Sequence, residues 1–95
     1  MVSGHILIVE SNPHLRSLLG WHLQQAGYTV SQSAGLQQGR DAFNRHQPIL
    51  VILDSDLPDG SGLEMSHWLY QQQDSLILLL SARSSEQDVV KGLKT

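Results

Sequence analysis

The chain contains no cysteine, which excludes a disulfide framework, a zinc knuckle and a thiol nucleophile. Aromatic residues make up only 5% of the sequence, so any core must be built from aliphatic side chains. Cations are scarce as well. Lys and Arg number 6 against 9 Asp and Glu, for a net charge of −3 and a pI near 5.9. That balance leaves no electrostatic footprint for nucleic acid or for an anionic membrane surface. Long apolar runs are missing: stretches such as Leu76 to Leu80 fall far short of the roughly 20 residues needed to cross a bilayer. The first residues lack a charged start followed by a long apolar stretch, so no signal peptide is legible. The expectation is a cytoplasmic protein without a membrane partner, forming one small domain over residues 1–95.

What is present is an alternation of short apolar runs with helical spacing. Ile6 to Val9, closed by Glu10-Ser11-Asn12-Pro13, reads as a buried strand followed by a helix start, with Ser11 or Asn12 as cap and Pro13 in the first turn. Leu15, Leu18, Leu19, Leu23 and Ala26 then recur at helical spacing, and Gly27 is placed to stop the helix. Tyr28 to Val30 reads as a short second strand. Leu36, Phe43 and the segment to His46 predict a second helix, in which Gly39 costs about 1 kcal/mol against alanine. Gln47-Pro48 ends it.

Ile49 to Leu53 is a run suited to a strand buried on both faces, as in a parallel sheet. Leu63, Met65, Ser66 and Leu69 predict a third helix, and Leu76 to Leu80 a fourth buried strand. A last helix is expected from about Ser85, capped by Ser84 or Ser85, through Val89, Val90 and Leu93. Strands alternating with helices in this way mean a parallel sheet with right-handed crossovers and helices on both faces. An apolar run such as Leu76 to Leu80 makes a poor sheet edge, so a further strand and helix are expected beyond Thr95.

The chemistry lies at the strand ends. Ile49 to Leu53 stops at Asp54, after which Pro58, Asp59, Gly60 and Gly62 force a turn. In open α/β sheets, ligands bind just beyond the carboxyl ends of the strands. Glu10-Ser11, Asp54 and Ser81 should therefore converge there. Clustered carboxylates persist where a cation is held or where one of them reacts. A carboxylate can attack phosphorus to give an aspartyl phosphate, and a neighbouring hydroxyl can donate to a phosphoryl oxygen.

Ile6-Leu7-Ile8-Val9-Glu10, Leu15-Arg16-Ser17-Leu18-Leu19, Gly27-Tyr28-Thr29-Val30, Leu53-Asp54, Leu57-Pro58-Asp59-Gly60-Ser61-Gly62-Leu63-Glu64 and Leu80-Ser81-Ala82-Arg83 span nearly the whole chain. Together they resemble the receiver domain of two-component response regulators. Ser81-Ala82-Arg83, followed by Asp88 and Gly92-Leu93, is most similar to the OmpR/PhoB-type transcription regulators. The resemblance implies a flavodoxin-like (CheY-like) doubly wound parallel sheet of order 2-1-3-4-5, here stopping before the fifth strand and last helix. It implies that Asp54 accepts a phosphoryl group from a sensor histidine kinase with Mg²⁺ bound, and that Ser81 is the switch hydroxyl. Glu10, Asp54 and the Asp56 main-chain carbonyl would hold the metal. DNA would be reached only through an output domain outside this segment, and a homodimer would use the last helix and the missing C-terminal elements.

Two departures from the family pattern bear on this. The family carries two acidic residues after the first strand, whereas Ser11 fills the second position, so a weak Mg²⁺ site is expected. The family's lysine on the fifth strand has no counterpart at Lys91 or Lys94. A phosphorylation-independent interaction module therefore stands beside the phosphoacceptor reading. An enzyme is not expected, although Asp54-Ser55-Asp56 with Ser81 also resembles the first motifs of haloacid-dehalogenase-type phosphatases, in which the second Asp is general acid/base. Glu10-Ser11-Asn12-Pro13-His14 is no glycine-rich nucleotide cradle. Among the histidines only His14 falls near the pocket rim. Trp68 is expected on the outer face of the third helix, either marking a contact surface or partly covered by its neighbours.

Overall fold

Three short runs of β-branched residues and leucine become adjacent parallel strands; burial on both faces hides the first two, while the third buries Ile77 and Leu79. The computed structural model describes residues 4–72 and 75–80. Its strands are β1 (His5–Val9), β2 (Thr29–Ser33), β3 (Leu50–Asp54), β4 (Asp56–Leu57), β5 (Gly60–Ser61) and β6 (Leu76–Leu80). The helices are α1 (Pro13–Gln25), α2 (Leu36–His46) and α3 (Gly62–Gln72). The main sheet has the order β2-β1-β3-β6, all parallel, while β4 and β5 form a separate two-stranded antiparallel ribbon. This is the flavodoxin-like arrangement, with β6 as the fourth strand of the main sheet. The expected last helix, its Ser84 or Ser85 cap, Ser81 and Arg83 lie outside the described residues.

Side chains alternate across the strands. Leu7, Val9, Val51, Leu53, Ile77 and Leu79 face a core completed by Phe43 of α2, Met65 and Leu69 of α3, and Leu57 of β4. Ile6, Ile8 and Ile52 are buried on the other face. Helix α1 covers that second face at the β2 side, where Gly20 packs against the side chain of Gln32, the partner of Ile8.

Local chemistry sets the boundaries. Asn12 caps α1, its side-chain oxygen accepting the N–H of His14 at 2.9 Å and of Leu15 at 3.2 Å, with Pro13 in the first turn. Gly27, at φ 101°, follows the end of the helix. At the end of α2 it is Gln47 that takes the left-handed conformation, at φ 49°, before Pro48.

Several sequence expectations shift. β2 runs to Ser33 rather than stopping at Val30, its polar residues being tolerated because it is an edge strand. The predicted turn after Asp54 contains the β4–β5 ribbon. Of the residues that recur at helical spacing, Leu15 and Leu18 are exposed, since α1 lies against the sheet through Arg16, Leu19, Gly20 and Leu23. Trp68 is half-buried, edge-on to Phe43 at 5.6 Å and beneath the Arg40 guanidinium at 5.2 Å. Among the described residues no helix is long and apolar enough to cross a membrane.

Candidate functional site

β1 and β3 are neighbours in register, with Val9 opposite Leu53, so the next residue of each strand arrives at the same edge. Those residues are Glu10 and Asp54, and both are buried, at 5% and 9% exposure. Glu10 is kept on the ladder by its own N–H, which donates to the Ser33 carbonyl at 2.9 Å. Asp54 is paired with Leu80 of β6, and the Ser55 N–H donates to the Leu80 carbonyl at 2.7 Å. The main-chain ladder thereby brings two carboxylates side by side.

Each carboxylate has local donors. Asp54 Oδ1 accepts the Asp56 N–H at 3.1 Å, and Oδ2 accepts the Ser11 hydroxyl at 3.3 Å. Glu10 Oε2 accepts the Asn12 N–H at 2.9 Å. Burial pushes the Glu10 carboxyl above its ordinary range; the Asn12 N–H partly offsets this, and the neighbouring Asp54 raises it further. A cavity of about 330 Å³ opens over the pair, lined by Glu10, Ser11, Asn12, Leu15, Asp54, Asp56 and Leu80.

Glu10, Ser11, Asp54 and Asp56 thus come together as the sequence suggested. Ser81 follows Leu80 but lies outside the described residues. His14 is exposed and does not line the cavity, its N–H serving the Asn12 cap. Sequence reasoning missed two supports. Arg16 donates from Nη1 to the Glu10 carbonyl at 2.9 Å, pinning α1 to the strand end. Gly62, the first residue of α3, lies so close to the main chain of Asp54 that a Cβ would collide with the Asp54 carbonyl oxygen; its N–H donates to the Ser55 carbonyl at 2.9 Å. The signal for Arg16 was its place in the first turn of a helix entering straight from β1. For Gly62 it was the second glycine of Gly60-Ser61-Gly62.

The oxygen donors at the pocket fit a hard divalent cation, which would relieve the repulsion between Glu10 and Asp54. The charge available is limited. Ser11 brings a neutral hydroxyl already directed to Asp54, and among the described residues no group of three or more His, Asp or Glu is placed to hold a metal ion.

The family model for the response regulator receiver domain matches residues 6–95. The KDP operon transcriptional regulatory protein KdpE of Escherichia coli (strain K12) is 37% identical over 89 residues, which cover 94% of this chain and 40% of KdpE. The phosphate regulon transcriptional regulatory protein PhoB of Klebsiella pneumoniae is 32% identical over 97 residues, covering 99% of this chain and 42% of PhoB. The chain spans about two fifths of the length of these curated relatives. Among solved structures, the response regulator TrrA of Thermotoga maritima, in complex with Mg(2+)-BeF, superposes with a TM-score of 0.77 at 34% identity, over 84% of this chain and 70% of that one. The same protein in complex with the histidine kinase ThkA gives a TM-score of 0.78 at 34% identity, over 85% and 71%.

Proposed function

The chain belongs to the response regulator receiver family, and from that premise we propose that Asp54 accepts a phosphoryl group from a sensor histidine kinase to control an attached output. The carrying observation is the pocket itself, with a carboxylate at the end of a central strand, open to a cavity, beside a second carboxylate. In the transfer, a carboxylate oxygen of Asp54 attacks phosphorus, the P–O bond forms and the bond to the kinase histidine breaks. Each carboxylate oxygen has lone pairs to spare, so Oδ2 can attack while it still accepts the Ser11 hydroxyl, and the Asp56 N–H on Oδ1 keeps the carboxylate oriented. Glu10, Asp54 and the Asp56 carbonyl would hold Mg²⁺. When bound, the metal neutralises charge between the carboxylate and the incoming phosphoryl oxygens. Ser81, the residue after Leu80, is our candidate switch hydroxyl.

The partners follow from the relatives. TrrA is solved with a histidine kinase, and KdpE and PhoB are transcriptional regulators, so the output we propose is DNA binding by a separate domain. Leu15, Leu18 and Trp21 expose an apolar face on α1, and Leu15 also lines the pocket, which makes α1 our candidate kinase-docking helix. A homodimer through elements after β6 fits the same reading. We place the protein in the cytoplasm, where ATP can charge a kinase histidine. We read it as a signalling module rather than an enzyme.

The test is acetyl phosphate with Mg²⁺ added to the full-length protein, with phospho-Asp read by mobility shift. One labelled species, abolished by Asp54→Asn, supports the proposal. No label on a folded protein that still controls its output favours the second reading, a phosphorylation-independent interaction module. The Ser11–Asp54 hydrogen bond is the observation on that side. Steady turnover of p-nitrophenyl phosphate, lost in Asp56→Asn, would instead make the protein a phosphatase.

A further inference from the structure

Asp59 looks in the sequence like one more turn residue between Pro58 and Gly60. Its carboxylate does something else. Oδ1 accepts the Leu36 N–H at 2.7 Å and Oδ2 accepts the Gln37 N–H at 3.2 Å, which are two of the free donors in the first turn of α2. The residue before that helix is Gly35, which supplies no capping side chain. A Cβ there would lie 2.9 Å from Asp59 Oδ1, so the cap comes from 23 residues away and occupies the space a local cap would fill.

The segment that carries Asp59 is the ribbon next to Asp54. It is only two residue pairs long, Asp56 with Ser61 and Leu57 with Gly60. A ribbon this short has little stability of its own and must be held from outside. Leu57 holds it from below, buried in the core. Asp59 holds its tip to α2. At its other end, the Asp56 N–H reaches Asp54 Oδ1 at 3.1 Å, and Asp56 lines the pocket.

We propose that Asp59 is a positioning residue for the Asp54 pocket: by tying the ribbon to the first turn of α2, it holds the main chain of Asp56 against the Asp54 carboxylate. The consequence for phosphorylation rests on Asp54 being the phosphoacceptor; the consequence for the position of Asp56 does not. A plain helix cap would affect α2 alone. A positioning residue affects Asp56 and whatever is done at Asp54.

The experiment compares the full-length protein with Asp59→Ala and Asp59→Asn by amide hydrogen exchange and by labelling with acetyl phosphate and Mg²⁺. In Asp59→Ala, exchange at Leu36 and Gln37 should quicken about tenfold, and the Asp56 amide should quicken with them, while Leu7 and Val51 in the core stay protected. The initial rate of Asp54 labelling should fall about fivefold or more. Asp59→Asn keeps one of the two acceptor oxygens and should show smaller changes of the same kind, at the first turn of α2 and at the Asp56 amide. Faster exchange at Leu36 and Gln37, with Asp56 unchanged and labelling within about twofold of wild type, would reduce Asp59 to a helix cap and overturn the proposal. Should the wild type take no label, the phosphoacceptor reading fails and the Asp56 amide alone decides on Asp59. If Asp59→Ala does not fold, the smaller changes in Asp59→Asn decide, with no change at Asp56 counting against.

Discussion

Glu10 shows how a fold can hold a single residue in an unfavourable state. Its carboxyl is buried beside Asp54 and its pKa is raised, first by burial. The folded state therefore keeps a proton that the unfolded chain gives up near the ordinary value of 4.5. Folding stability is full below that value and is lost as pH rises through the higher folded pKa. Glu10→Gln removes the charge while its amide oxygen can still accept the Asn12 N–H. Without divalent cation, the variant should melt at a higher temperature than wild type at pH 7 to 8. The gain should shrink as pH falls toward 4.5, and thermal melts across that range check it. Excess Mg²⁺ should reverse the order, because the wild type gains RT ln(1 + [Mg²⁺]/Kd) and the glutamine variant gains less.

Ser11 carries the complementary prediction. As serine it offers Asp54 a hydrogen bond and the pocket no charge. Ser11→Asp brings a third carboxylate to the cluster, so the apo protein should lose stability while Mg²⁺ binds about tenfold tighter or more, measured by calorimetric titration. Unchanged affinity would mean that position 11 does not face the cation.

At the scale of elements, the legible parts were those under the strongest constraint. β1 and β3 were readable because burial on both faces leaves no room for polar residues, and β6 because its run is apolar throughout, although only Ile77 and Leu79 are buried. Glu10 and Asp54 were readable with them, as the residues at which such strands stop. β2 was cut short because its last three residues, Ser31-Gln32-Ser33, look like loop and are permitted only by its place at the edge. Helical spacing aligned Leu15 and Leu18 with Leu19 and Leu23, but spacing cannot say what covers a stripe, and Leu15 and Leu18 are exposed. Asp59 was missed because its partners lie 22 and 23 residues away.

Gly39 was read as a cost to α2, and the structure supplies the reason for it. A Cβ at Gly39 would stand 3.0 Å from both Met65 Cε and Val9 Cγ2. The glycine lets α2 settle against β1 and α3. Alanine would gain about 1 kcal/mol of helix propensity but would press on Val9, a fully buried β-branched side chain, at about 1–3 kcal/mol. Gly39→Ala should therefore be destabilising by about 1 kcal/mol net in urea unfolding, against the sign that propensity alone gives.

At the scale of the whole molecule, the sheet formed by the described residues is covered unequally. One face is closed by α2 and α3 over a continuous aliphatic core, whereas the opposite face has α1 at the β2 side. Toward the other side stands β6, with Leu76 64% exposed and, among the described residues, no strand on its outer flank. Ile49, beside it, is 51% exposed. An apolar strand at the edge of a sheet is a template for another chain. The 95-residue chain should accordingly self-associate at high micromolar concentration, with a weight-average mass by light scattering above that of the monomer. Leu76→Lys places a charge at the exposed start of β6, where it removes little buried contact. It should return the chain toward monomer with stability changed by less than about 0.5 kcal/mol. If the wild type is already a clean, cooperatively folding monomer, this flank is not sticky and the exposed leucine needs another explanation. If Leu76→Lys associates as strongly as wild type, the contact lies elsewhere, and the α1 face with Leu18 and Trp21 is the next surface to charge.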